Sequence, residues 1–190
     1  MDCMGSGRER VKYMFGAMFK GATFFDIFLW NVALAAVWCV VAFIACIKLP
    51  STFFDFEKKR YQAMKWEKNG RWYKDHLHIQ QWKDRLPQHI AKDGFSKTHL
   101  TNMSLDYLDE FIMETCRGEW LHLADCMLAV LLLLINPWPL ALLFAALPCI
   151  GNLPFAVIQR YNRFRLLQVR KKLLHDLRRA EERQAASVVA

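Results

Sequence analysis

Two long uncharged runs organise the chain. Ile27 to Ile47 carries no Asp, Glu, Lys or Arg, and neither does Cys126 to Gln159. The first run has 21 residues. As a helix it is about 31 Å long, which matches the hydrocarbon thickness of a bilayer. It is too long and starts too late to be a signal-peptide core, and Lys48-Leu49-Pro50 follows it in place of a small-residue cleavage site. The pattern predicts a retained transmembrane helix over 26–48. The second run has 34 residues, about 51 Å as one helix and too long for one span. Its middle reads Asn136-Pro137-Trp138-Pro139. The two prolines remove two backbone donors and disfavour helix just before each. A helical hairpin over 119–159 is expected, with arms of about Trp120 to Ile135 and Leu140 to Ile158, the second weakened by Pro148, Gly151 and Pro154. A kinked span and a re-entrant hairpin both fit, because interrupted helices survive at membrane depth where protein or a polar cavity covers the freed backbone groups.

Between and around these runs the apolar positions fall at helical spacing. Val11, Phe15, Met18, Phe19 and Ala22 mark an amphipathic segment over 1–25. Leu105, Leu108, Ile112 and Cys116 share a face of a short helix whose cap lies within Thr101 to Ser104. Leu166, Leu167, Val169, Leu173, Leu174 and Leu177 line one side of a helix over 160–184 whose other side is Arg and Lys. The segment 49–118 mixes Phe54, Phe56, Tyr61, Trp66, Trp72, Tyr73 and Trp82 with charges of both signs, as expected at a membrane interface, and Asn69-Gly70 marks a turn within it. The tail 185–190 is expected to be disordered. The fold expected is mainly α: one membrane domain over 1–190, with about three apolar helical segments (one span plus the Pro-broken hairpin) and amphipathic interface helices.

Composition changes this picture only through its distribution. Of the 190 residues 54% are hydrophobic and 23% charged, and the mean hydropathy is +0.06. Such averages suit a soluble globule, but the segregation of charge excludes one. The six cysteines fall mostly inside or beside apolar segments, without the C-x-x-C spacing of a metal or redox site. Residues 50–118 hold twelve Lys and Arg, residues 160–190 hold nine and the hairpin tip none. Both basic segments are therefore expected on the cytoplasmic side of a multi-pass cell-membrane protein. The first 25 residues carry four basic residues, which argues against sending that end outside and leaves its side open. The net +6 of 160–184 suits anionic lipid; nothing resembles a nucleic-acid reading module, so no nucleic-acid partner is expected.

Candidate chemistry concentrates where the amphipathic helix meets the hairpin. Glu119 and His122 are i, i+3 neighbours on a continuous helix, and Asp125 extends the same face. Ionisable groups entering lipid are costly and usually face a polar interior. A His oriented by a carboxylate can take the proton of a hydroxyl, as acyl transfer to an alcohol requires. A polar helix end snorkelling at the headgroups fits the same residues. At the other end of the hairpin, Arg160 or Arg163 can pair with Glu114 or Glu119, or Arg160 and Asn162 can face a phosphate or an oxyanion. Asp75, His76, His78 and His89 lack the specific spacing of a zinc site, so no metal is expected. No Walker A, G-x-S-x-G or dinucleotide loop is visible.

Five strings together resemble a known family: W-E-K-N-G-R-W-Y-K (Trp66 to Lys74), W-K-D-R-L-P (Trp82 to Pro87), H-L (His99, Leu100), F-I-M-E-T-C-R-G-E-x-x-H (Phe111 to His122) and N-L-P-F-A-V-I-Q-R-Y-N-R (Asn152 to Arg163). They are similar to the glycosyl-4,4'-diaponeurosporenoate acyltransferases, small bacterial membrane enzymes of carotenoid glycolipid biosynthesis. The resemblance covers roughly residues 27–170. It implies a fatty acyl donor, a glycolipid acceptor, and an acyl thioester as co-substrate with no cofactor. The functional set it implies is Trp82, Lys83, Asp84, His99, Glu114, Arg117, Glu119, His122, Gln159, Arg160, Asn162 and Arg163. Within that set His122 is expected as general base with Glu119 orienting it, and His99 is the rival. Arg117, Arg160 and Asn162 are expected on the acyl carbonyl or a donor phosphate. Phe164 stands where members usually have proline, and Gln88-His89 replaces a common Asp-Gly. Two other functions fit the residues: a non-enzymatic lipid-binding or membrane interaction protein, and another small membrane lipid transferase. The oligomeric state is not encoded in any pattern found.

Overall fold

The computed structural model describes residues 21–86 and 104–189. The expected segment over 1–25 therefore lies, up to residue 20, outside the described residues, as do His89 and His99. Among the described residues there is no strand. Six α-helices follow in order: α1 (Phe24–Lys48), α2 (Arg71–Leu77), α3 (Ile79–Trp82), α4 (Leu105–Cys126), α5 (Leu128–Ile135) and α6 (Leu140–Val189), with 3₁₀ turns at Ser51–Phe54, Lys65–Gly70 and Lys83–Arg85. Three stretches are long and apolar enough to cross a membrane: Phe24–Lys48, Leu105–Ile135 and Leu140–Ser187, with mean hydropathies of 2.4, 1.8 and 2.0 in their most apolar windows. The chain is a mainly α membrane protein. Its contacts form two units, one of the chain up to Lys48 with Leu121–Pro154, the other of Leu49–Trp120 with Phe155–Ala190.

In the first unit α1, α5 and the start of α6 bury Ile27, Leu128, Ala129, Leu132, Ile135, Phe144 and Ala145 together. The helices are also clasped by amides. Asn31 Nδ2 donates to Asn136 Oδ1 at 2.7 Å, and Asn136 Nδ2 returns the bond to Asn31 Oδ1 at 2.8 Å. Each amide also donates to a carbonyl on its own helix, so both buried polar groups are satisfied and act as interhelical glue. Trp38 Nε1 adds a bond to the Ala124 carbonyl at 3.0 Å. The helix break falls at 136–139, where the prolines deny two N–H donors. Pro148 and Pro154, expected to weaken the second arm, lie inside an unbroken α6. The carbonyls freed are those of Phe144 and Ile150, four residues before each proline, and membrane helices tolerate such gaps where neighbouring groups cover the freed backbone. Large apolar side chains such as Val37, Leu134 and Ile150 stay exposed, which suits contact with lipid.

In the second unit two small cores form. Tyr73, Ile79, Ile158, Tyr161 and Phe164 pack together, and Leu108 and Ile112 close on Leu166. The Asn69-Gly70 turn is present: Lys68, Asn69 and Gly70 all have positive φ (49°, 54° and 91°). Gly70 is required twice over, by that φ and because an added Cβ would lie 3.1 Å from the Phe164 ring. The bulky Phe164 thus closes the core over the turn. Ser104 Oγ accepts the Tyr107 N–H at 3.2 Å, the cap expected there. The amphipathic helix that starts at Leu105 does not end at Cys116; α4 runs on to Cys126. Gly118 alone costs a helix only about 1 kcal/mol, and it admits the Gln159 side chain within 3.0 Å of where a Cβ would sit. The basic segment 160–184 likewise continues α6 without a break.

Candidate functional site

Among the described residues the second unit holds four buried charges whose sum is zero: Glu67, Glu119, Arg160 and Arg163. Arg160 Nε and Nη2 reach the two Glu67 oxygens at 2.5 and 2.8 Å. Its Nη1 donates to Glu119 Oε1 at 2.9 Å and to the Arg60 carbonyl at 3.2 Å, and its Nη2 also reaches the Gln62 carbonyl at 3.1 Å. A guanidinium has five N–H donors, and all five find acceptors here. Arg163 Nη2 closes on Glu119 Oε2, Nε donates to the Tyr61 carbonyl at 3.2 Å, and Nη1 lies 3.6 Å from Cys116 Sγ. The two arginines therefore tie the 60–67 segment and α4 to α6. Burial works against the Glu67 charge, but Arg160, the Tyr73 hydroxyl and the Met64 N–H outweigh it and hold that carboxyl below its ordinary range. Burial pushes the Tyr61 phenol up to about 12 and the Tyr73 phenol further up, where the Glu67 carboxylate adds to it.

The first unit holds a different kind of site. His122 Nδ1 lies 2.9 Å from Asn152 Oδ1. The Asn152 amide donates its own N–H to the Pro148 carbonyl, which fixes the carbonyl end of that amide toward the imidazole. Asn152 Oδ1 can only accept, so His122 Nδ1 carries the hydrogen; in a neutral imidazole that arrangement puts the lone pair on Nε2. Asp125, one helical turn further along α4, interacts with both His122 and the Cys39 thiol. Asn31, Asp125 and Asn152 are the polar side chains lining a half-open groove of about 210 Å³ between α1, α4–α5 and the start of α6. The rest of its wall is almost wholly apolar, from Ala35, Leu128 and Leu147 to Phe28, Leu132 and Phe144. A lone-pair-bearing imidazole nitrogen beside a largely apolar groove can accept a proton from a hydroxyl on an otherwise lipidic molecule.

The expected site residues are divided between these settings. Glu119 is held by Arg160 and Arg163, whereas His122 has Asn152; the i, i+3 spacing that suggested a Glu119–His122 pair is outcompeted by two guanidinium partners. Arg160, expected on an oxyanion or phosphate, has every donor engaged by protein acceptors. Glu114 and Arg117 form an ion pair one turn apart, with the Arg117 guanidinium 5.1 Å from the Phe54 ring centre. Gln159 packs on Gly118, and Asn162 is half-buried. Lys83 bonds Asp84 at 2.5 Å, and Trp82 Nε1 donates to the Leu77 carbonyl at 2.8 Å. Asp75 pairs with Arg71, and His76 stacks on Trp72; among the described residues no three His, Cys, Asp or Glu are grouped to hold a metal. The sequence missed Glu67 and Asn152 as site members, although both stand in the quoted family strings.

Comparison with known proteins decides the family. A family model described as glycosyl-4,4'-diaponeurosporenoate acyltransferase matches residues 57–172. The chain belongs to this acyltransferase family. It is also similar to glycosyl-4,4'-diaponeurosporenoate acyltransferases of Staphylococcus aureus strains MRSA252 and bovine RF122 / ET3-1, at 26% identity over 138 residues in each case, covering 72% of this chain and 81% of each relative. No solved structure matches it. The family match includes the charge network and the His122–Asn152 pair, while the α1 wall of the groove lies outside it.

Proposed function

We propose that this glycosyl-4,4'-diaponeurosporenoate acyltransferase relative moves a fatty acyl group from an acyl thioester, on coenzyme A or an acyl-carrier protein, to a hydroxyl of a glycolipid in the cell membrane. The observation that carries the mechanism is the Asn152-held His122. Its Nε2 takes the acceptor's hydroxyl proton as that oxygen attacks the thioester carbonyl. The C–S bond then breaks, and the proton passes from Nε2 to the leaving thiolate, so the imidazole ends neutral and no cofactor is consumed. Asp125 stabilises the imidazolium that forms between the two transfers. The glycolipid is a glycosylated carotenoid or a similar lipid, as the relatives' name indicates. Mass spectrometry of lipid extracts from cells with and without the protein tests this reading. A glycolipid gaining the mass of one acyl group supports it. An unchanged lipid profile at confirmed expression defeats it in favour of a lipid-binding role.

The thioester donor places the reaction on the cytoplasmic side, where the basic segments would meet the anionic coenzyme or carrier. Lys68→Cys and Arg178→Cys variants are expected to react alike with a membrane-impermeant maleimide: protected in sealed cells, labelled after lysis. Opposite accessibility of the two would overturn this topology.

A further inference from the structure

We infer that the outer face of α6 in the second unit docks an acidic acyl-carrier protein, which delivers the acyl thioester. This assignment rests on the acyltransfer reading above and names its donor. The cations of this stretch of α6 divide into two sets. Arg160, Arg163 and Arg170 face inward and are paired, the last with Asp109 through Nε and Nη2 at 2.5 and 3.0 Å. Arg165, Lys171, Lys172, Arg178, Arg179 and Arg183 are exposed, and none of them has an ion-pair partner among the described residues. Arg165, Lys172, Arg179 and Arg183 stand at i, i+7, i+14 and i+18. At 3.6 residues per turn they fall within about 40° of one another, in a ridge of cations about 27 Å long. Of the acidic residues in the stretch, Asp176 borders the ridge, 3.6 Å from the His175 imidazole, and Glu181 and Glu182 lie about 60° or more away from it. A lipid surface is the other anionic partner, and the packing disfavours it. An interfacial helix buries a large apolar face in the bilayer. Here Leu166 closes on Leu108 and Ile112 with Leu167 beside it, and Leu173 and Leu174 are half-buried, so most of that face is already covered by protein. From His175 to Ser187 every residue is exposed, and beyond Leu177 none of these is more apolar than alanine. Coenzyme A carries its phosphates on one nucleotide and can meet only part of so long a ridge. An acidic helix laid along it meets all four cations, and complementary charge over that length steers encounter and fixes register.

Titrating the full-length protein in phosphatidylcholine vesicles against a dye-labelled palmitoyl-acyl-carrier protein, read by fluorescence anisotropy, tests the ridge without turnover. Lys172→Gln/Arg179→Gln neutralises its centre. Lys171→Gln/Arg178→Gln removes the same charge from adjacent positions on another face, so net charge and helix propensity are matched. The ridge variant is expected to weaken carrier binding by about tenfold at low salt, the effect of two exposed ion pairs at the upper end of their usual contribution. The matched variant should weaken it by less than about twofold. Equal weakening in both, or none in either, overturns the docking. A bimane fluorophore at Gln184→Cys should respond to the carrier; a response to phosphatidylglycerol vesicles alone overturns the proposal in favour of a lipid surface. In the transfer assay the ridge variant should raise KM for the palmitoyl carrier about tenfold and leave kcat and the KM for palmitoyl-CoA unchanged. Transfer from palmitoyl-CoA with no carrier binding defeats the docking and leaves acyltransfer intact. Carrier binding at the ridge without transfer from any thioester leaves the docking standing and defeats the acyltransfer reading.

Discussion

His122→Ala is expected to lower acyl transfer by about 10²–10⁴, the usual contribution of a general base, while the protein still inserts into the membrane. The reason lies in the local chemistry of Asn152. Its N–H is committed to the Pro148 carbonyl, so its oxygen faces the imidazole, and the neutral tautomer held is the one with its hydrogen on Nδ1. Asn152→Leu removes the acceptor and should lower kcat more than it raises KM, because substrate binding does not depend on the tautomer. Asn152→Asp keeps an acceptor for Nδ1 and should recover part of the loss, a rescue that a packing role would not produce. Glu119→Gln is expected to act mainly on stability, since that carboxylate serves Arg160 and Arg163. His99 is the rival base. If His99→Ala abolishes turnover while His122→Ala retains it at matched expression, the proton acceptor is His99.

What could be read in the sequence was local. The break at Asn136-Pro137-Trp138-Pro139, the cap at Ser104 and the turn at Asn69-Gly70 each depend on the chemistry of one or two residues, and all three are present. The meeting of Glu119 with Arg160 and Arg163 was also accessible, because charges at the two ends of a hairpin in a dehydrated zone need partners. The partner of His122 was not. Asn152 lies 30 residues away, and only the register of α6 against α4 brings it opposite. Glu67 was hidden for another reason. It stands among exposed aromatics and charges that look like an interface layer, and its burial follows from Arg160 and Tyr73 closing over it. The helix continuity through Pro148 and Pro154 escaped because propensity describes an isolated segment in water, not a membrane helix with neighbours.

The second large effect concerns the fold rather than the chemistry. Arg160→Met is expected to destabilise the protein by about 3–5 kcal/mol, the usual cost of removing one partner from a buried ion pair. The four charges sum to zero with Arg160 present; without it Glu67 and Glu119 face Arg163 alone and one negative charge is uncompensated. Glu67→Gln in the same chain removes that excess, so the double variant should regain much of the loss, a coupling that a double-mutant cycle on thermal unfolding in detergent measures. The pH dependence separates charge from packing. In the parent protein Glu67 is held below its ordinary range, so its charge contributes stability above the unfolded value, near 4.3, and that contribution is lost as pH falls through the lower folded value. In Arg160→Met burial is opposed only by the Tyr73 and Met64 hydrogen bonds, the folded value of Glu67 rises, and the stability its charge gave in the parent at neutral pH is diminished. The stability gap between parent and variant should therefore be widest at neutral pH and narrow in acid. A gap that is constant with pH, or a double variant no more stable than Arg160→Met, would show that Arg160 acts through packing and its carbonyl bonds to Arg60 and Gln62 rather than through the Glu67 charge.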